Sequence, residues 1–173
     1  MVSIAWVLLF HLNDFVFSTL EISSLINWVF IPAGLRLVAI LLFKRDAIAG
    51  LFIGALITGM DSQLHFVSLI TISLLSAVNP YIAFKVSNSL LKVKASLLEL
   101  TPSQLLLMSM VSAFFNTIFH NLYFYFSGLT QEFWVNSVKM FTGDFIGCLI
   151  VLYAFSLSIK FFKKSASRSS SGL

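Results

Sequence analysis

The lysines and arginines of this chain fall on one side of an alternating ladder of apolar segments, and that asymmetry fixes the solvent in which the chain must fold. Read as six spans, the connections after spans 2 and 4 and the C-terminal end hold Lys44, Arg45, Lys85, Lys92, Lys94, Lys160, Lys163, Lys164 and Arg168. The opposite connections hold no base and carry Glu21, Asp61 and Glu132. The positive-inside bias therefore predicts that both termini are cytoplasmic. With 58% hydrophobic and 10% charged residues, and 19 Phe among 173 residues, one soluble core could not cover the apolar surface. The expected fold class is all-α, a polytopic transmembrane helix bundle of about six spans over residues 1–162, followed by a basic, Ser-rich cytoplasmic tail at 163–173. The net charge of +4 sits beside span ends rather than on a polar domain. The expected partners are thus the bilayer and its anionic headgroups, not nucleic acid.

The spans differ in quality. Span 1, from about Val2 to Leu20, lacks a basic n-region and a cleavage site and is interrupted by His11, Asn13 and Asp14, which reads as a retained span rather than a removed signal. Span 2, about Ser24 to Phe43, contains Pro32 and Gly34, so a kink is expected there. Span 3, Ala47 to Met60, is short for a bilayer core that calls for about 20 residues. Span 4, about Leu64 to Phe84, carries Asn79-Pro80, where its regular hydrogen bonding is expected to bend or end. Residues 85–100 fit either an interfacial helix or an extension of span 4. Thr101-Pro102-Ser103-Gln104 is a helix start with a capping box, and Ser127-Gly128 is a stop, so span 5 runs to about Phe126. Span 6 follows from Trp134 to about Phe162, and a disordered tail is expected from Ser165.

Four ionisable residues lie well inside spans: Asp14, Arg36, Lys139 and Asp144. An unpaired charge in hydrocarbon costs about 2.5–3.5 kcal/mol on insertion scales, so such residues pair or face a cavity. Two acids and two bases invite two ion pairs, and the long Arg36 side chain can reach toward Asp144. They are either structural pairs or a proton or ligand site. Asn116 and His120, and Thr117 and Asn121, stand at i, i+4 and form a polar stripe on span 5. Such a stripe faces protein, as interhelical hydrogen-bond glue or as a ligand lining. Gly50 and Gly54, and Gly143 and Gly147, have the small-xxx-small spacing of closely approaching helices. The three scattered histidines and one cysteine, Cys148, argue against a metal site or a disulfide framework, and no cofactor or enzyme motif is present.

Ile31-Pro32-Ala33-Gly34-Leu35-Arg36-Leu37, the basic Lys44-Arg45 turn, Gly50 to Gly54, and the later Gly143-Asp144-Phe145-Ile146-Gly147 resemble the membrane-associated sensor domains of the first type. These are bacterial integral-membrane modules often fused to histidine kinases or cyclic-di-GMP enzymes. The resemblance covers roughly residues 26–60 and 134–160. It departs in having about six spans rather than eight and no output domain. It implies a bacterial inner-membrane protein, core positions at Pro32, Gly34, Arg36, Gly143, Asp144 and Gly147, no catalytic residues, and action through a membrane protein partner. The expected function is a sensor-like or partner-binding module rather than an enzyme. The alternative is a small-molecule transporter or a substrate-binding subunit similar to those of energy-coupling vitamin transporters, with Asp14, Asn116, His120, Lys139 and Asp144 lining a cavity.

Overall fold

The computed structural model of the protein describes residues 1–23, 26–91 and 101–170. It is helical: α1 (Val2–Phe17), α2 (Pro32–Phe43), α3 (Ala47–Gly59), α4 (Phe66–Leu91), α5 (Pro102–Phe126) and α6 (Phe133–Ser170). A two-stranded antiparallel pair, β1 (Glu21–Ser23) and β2 (Ile26–Asn27), lies between α1 and α2. Three helices are long and apolar enough to cross a membrane: α4 over Phe66–Leu90, α5 over Pro102–Phe126 and α6 over Phe133–Phe155. The others are shorter. At 1.5 Å per residue the 12 residues of α2 and the 13 of α3 rise only about 18 and 20 Å, against a hydrocarbon core of about 30 Å.

The short α2 is nonetheless the centre of the molecule, with nine of its twelve residues buried. One side packs Leu37, Val38 and Leu41 against Met108 of α5 and Cys148 and Leu152 of α6. The other side packs Ala39 and Ile40 against Trp6 of α1, Leu51 and Ala55 of α3 and Ala77 of α4. Apolar side chains point outward as well as inward. On α1, Ile4, Leu8, Leu12 and Phe15 form an exposed stripe at helical spacing, and α4 and α6 expose Phe66, Val67, Leu74, Trp134, Val138 and Tyr153. A helix apolar on both faces satisfies its outer face with lipid.

The start of α2 differs from the kinked span expected at Ser24–Phe43. Pro32 opens the helix at its first position instead of bending one already under way, and residues 28–31 are not helical. The chain can leave the helix here because its backbone groups find other partners. The Ile31 amide donates to Asn13 Oδ1 at 2.8 Å, and the Phe30 amide donates to the Gly143 carbonyl at 3.0 Å. This non-helical stretch runs directly over the Gly143-x-x-x-Gly147 face of α6. A Cβ at Gly143 would collide with the Asn27 carbonyl, and one at Gly147 with the Phe30 carbonyl. Gly34 of α2 in turn sits against the Gly147 carbonyl and Val151. Gly50 and Gly54 of α3 lie against Val2 and Trp6 of α1.

Other boundaries follow local chemistry. The Thr101 side chain accepts from the Gln104 amide and Gln104 Oε1 accepts from the Thr101 amide, a complete capping box. Gly128, with φ of 75°, takes the left-handed conformation after α5. Pro80 does not end α4, which continues to Leu91, so the stretch after Phe84 begins as more α4 and residues 92–100 lie outside the described residues. Nor does α6 stop near Phe162; its helical backbone runs to Ser170, where a disordered tail was expected, and 171–173 lie outside the described residues.

The contact between α6 and the non-helical stretch before α2 yields a direct test. Gly147→Ala forces a methyl onto the Phe30 backbone, and overpacking of this kind costs about 1–3 kcal/mol. We expect a lowered melting temperature in detergent and loss of monodisperse protein. Gly50→Ala meets the Val2 side chain and, at ordinary contact distance, the Ser3 backbone, both in the first turn of α1 at the N-terminus, and should shift the melting temperature less.

Candidate functional site

Arg36, on the second turn of α2, points into the bundle interior and is only 3% exposed. Its Nη2 donates to Asp144 Oδ1 at 2.9 Å, forming an ion pair between α2 and α6, and its Nη1 donates to Asn116 Oδ1 of α5 at 2.8 Å. Asn116 Nδ2 donates to Asp144 Oδ2, which closes a triangle. The orientation of the Asn116 amide is fixed by chemistry, since only its oxygen can accept from a guanidinium and only its nitrogen can donate to a carboxylate. The Arg36 guanidinium also lies 5.5 Å from the ring centre of Phe30 and 5.8 Å from that of Trp6, so two aromatic faces share its charge.

His120, one turn after Asn116, extends this network to α4. Its Nδ1 lies 3.0 Å from the Asn116 carbonyl and its Nε2 lies 3.2 Å from Ser76 Oγ. Asn79 Nδ2 lies farther from Nδ1, at 3.5 Å. The shorter contact, to a carbonyl that only accepts, assigns the proton to Nδ1, and in the neutral ring Nε2 then accepts from the Ser76 hydroxyl. Pro80 has no N–H to offer the Ser76 carbonyl one turn earlier, which frees a backbone acceptor beside this contact. On α1, Trp6 Nε1 donates to Thr58 Oγ1 of α3 at 3.0 Å.

These groups border a cavity of about 280 Å³. Arg36, Asp144 and His120 line its inner part; Asp14, Asn27 and Asp61 line it nearer the end where α1 and α3 finish and α4 begins. The walls between are aromatic and aliphatic, including Trp6, Phe10, Phe30 and Phe124. The cavity is thus polar at its base and rim and apolar along its sides, the usual composition of a small-molecule site. Among the described residues no group of three His, Cys, Asp or Glu converges to hold a metal ion.

The sequence-predicted residues separate into two sets. Arg36, Asn116, His120 and Asp144 come together in one hydrogen-bonded network, of which Arg36, His120 and Asp144 line the cavity. Asp14 reaches the cavity too, but with no cation within ion-pair distance among the described residues. Lys139 does not join: it is half-buried, lines no part of the cavity and forms no ion pair among the described residues. One intramembrane ion pair therefore forms where two were expected, because depth along a helix does not set the direction in which a side chain points. Thr117 and Asn121 are buried against α6, where Asn121 Nδ2 approaches Met140 Sδ at 3.3 Å. Sequence reasoning passed over Trp6, Asn27, Thr58, Ser73 and Ser76, and named Asn13 only as an interruption of the first span. Single polar or aromatic residues in apolar helices carry little signal, although Asn13 and Asn27 flank the stretch that leaves helical geometry.

No family model matches the chain, and neither curated proteins nor solved structures match it.

The triangle should behave as an energetic unit. Removing one partner of a buried ion pair leaves the other uncompensated, typically a loss of about 3–5 kcal/mol. Arg36→Gln and Asp144→Asn should each lower unfolding stability in detergent. The double variant should be less destabilised than the two single losses added together. Strict additivity in that cycle would show that the pair is not coupled.

Proposed function

We propose that this is a multi-pass membrane protein of about six spans with cytoplasmic termini, a sensor-like module that binds a small molecule and acts through a membrane protein partner rather than by catalysis of its own. The observation that carries this reading is that the cavity is bordered by the same residues that tie the helices together. Arg36, Asp144 and His120 line it, while their bonds reach Asn116 and Ser76 and so join α2, α4, α5 and α6. A molecule that competes for any of these groups must alter the balance holding the bundle, and differential contact of that kind is what a ligand needs to shift a conformational equilibrium. The connections at the cavity end carry Asp61 and Glu132, and those at the other end carry Lys44 and Arg45. By the positive-inside bias the cavity faces outward. A bacterial inner membrane is the setting implied by the sensor-domain resemblance of the segments around Pro32-Ala33-Gly34 and Gly143-Asp144, which here lie against one another.

A second reading is favoured by a separate observation. The stretch before α2 is non-helical, and its Asn27 and Phe30 line the cavity. Interrupted helices whose irregular backbone borders a central cavity are a recurring feature of transporters. On this reading the chain is a transporter or a substrate-binding subunit.

Native mass spectrometry of the protein, extracted mildly from its own membrane, tests both. We expect a stoichiometric small molecule that is lost in the Arg36→Gln variant, together with a bound signalling protein. A bound ATP-hydrolysing or other transport subunit would favour the second reading. A chain carrying neither ligand nor protein would overturn the sensor proposal.

A further inference from the structure

The charges around the cavity do not balance. Three carboxylates line it, Asp14, Asp61 and Asp144, against one guanidinium, Arg36. Arg36 and Asp144 neutralise each other through their 2.9 Å contact. Asp14 and Asp61 are left without a cation partner among the described residues, so the empty space sits in a net negative field. His120 holds its ring between a carbonyl and a hydroxyl and adds no compensating charge in its neutral form. The nearest base in sequence to Asp144, Lys139, lies outside the lining. His11, one turn before Asp14 on α1, interacts with it electrostatically but is exposed and outside the lining, beyond ion-pair distance.

Two uncharged groups point the same way. Ser73 is 1% exposed and lines the cavity, yet its hydroxyl makes no hydrogen bond among the described residues. Asn27 also lines it, and its buried Oδ1 accepts no hydrogen bond among the described residues. A buried acceptor without a donor is uncommon and costly. Asn27 Oδ1 calls for a donor, and the Ser73 hydroxyl, which can donate or accept, has a lone pair to offer one. The rings of Trp6, Phe10, Phe30 and Phe124 line the same cavity, and aromatic rings attract a cation at their faces and bury an apolar body.

Resting on the reading of the cavity as a ligand site, we propose that its ligand is a small organic ammonium compound: a protonated amine with an aromatic or branched apolar body. Its ammonium group lies among Asp14, Asp61, Asn27 Oδ1 and Ser73, and its apolar part lies against the aromatic wall above the Arg36–Asp144 pair. An anion is disfavoured because it would meet two free carboxylates before reaching Arg36, which is already shared between Asp144, Asn116 and two rings. At about 280 Å³ the space is just below the roughly 300–1,000 Å³ common for drug-sized ligands, so a compound with one ring fits better than a larger one.

Three probes of matched shape and different charge decide the matter: phenethylammonium, phenylacetate and phenylethanol, titrated calorimetrically into the purified full-length protein in detergent. We expect phenethylammonium to bind at least about tenfold more tightly than the other two, with affinity falling as salt is raised. Asp14→Asn and Asp61→Asn preserve shape, and each should weaken phenethylammonium by about threefold or more while leaving phenylethanol unchanged. Melting curves of the variants verify that they are folded. Ser73→Ala should weaken the ammonium probe and leave the other two as they are. Equal or tighter binding of phenylacetate or phenylethanol, or an Asp14→Asn Asp61→Asn double variant with unchanged ammonium affinity, would overturn the ammonium assignment and leave the cavity as a ligand site. Failure of all three probes to bind would overturn both.

Discussion

The closed triangle of Arg36, Asn116 and Asp144 is the interaction around which the bundle is arranged. A guanidinium and a carboxylate in an apolar interior are each intolerable alone, and insertion scales put such a charge at about 2.5–3.5 kcal/mol. Here each partner's need is met by the other two: the guanidinium finds a carboxylate and an amide oxygen, the carboxylate finds a guanidinium and an amide nitrogen, and the amide is used at both ends. The three residues come from α2, α5 and α6, so the triangle fixes both the depth and the rotation of α2 against its neighbours. Apolar packing alone would specify these less tightly, because the Leu, Val and Ala faces of α2 could slide along each other at small cost. His120 and Ser76 carry the same constraint to α4.

Fixing α2 has consequences for the chain that enters it. Arg36 must meet Asp144, which places the beginning of α2 beside the Gly143–Gly147 face of α6. A helix extended backwards from Pro32 would have to fit into the same space. The chain instead passes over α6 as non-helical backbone, and the glycines let it come close. Non-helical backbone at membrane depth is tolerated only when it is buried in protein or faces a polar cavity. Both conditions hold, since Phe30 and Ile31 donate to Gly143 and Asn13 while Asn27 and Phe30 border the cavity. The motif glycines, the buried Asn13 and the cavity are therefore parts of one local solution rather than separate features.

What the sequence made legible was either local or strongly penalised when absent. The capping box at Thr101, the stop at Gly128 and the limits of α3 depend on a few adjacent residues, and they appear where expected. The buried stripe of Asn116, Thr117, His120 and Asn121 follows from the cost of turning amides toward lipid. The start of α2 was not legible, because a proline in an apolar segment can kink a helix or begin one. The choice is made by Asn13 and Gly143, which are distant in sequence. The expectation that Pro80 bends or ends α4 met the same ambiguity and resolved toward a continuous helix. The cavity left no trace in the sequence beyond its ionisable residues. Ser73, Ser76 and Thr58 are of a kind that ordinarily bonds to its own helix, and only their placement around a shared space distinguishes them.

The sorting of charge along the chain links orientation in the membrane to the chemistry of the cavity. A chain held with its basic connections in the cytoplasm must keep lysine and arginine out of the alternate connections, or its topology becomes ambiguous. Those alternate connections are the ones at the cavity end, where Asp61 follows α3 and Asp14 lies near the end of α1. Any carboxylate placed there lacks a nearby base by construction, and its field is weakly screened where aromatic and aliphatic side chains replace water. Arg36 escapes the restriction because it lies within a helix and is held by Asp144. Under the proposed orientation, the negative character of the cavity rim and the direction of insertion share one cause. A lysine introduced at the rim would change both at once, whereas a neutral substitution at Asp14 or Asp61 changes the field alone. The two effects are thus separable by choice of side chain, although they arise from the same asymmetry.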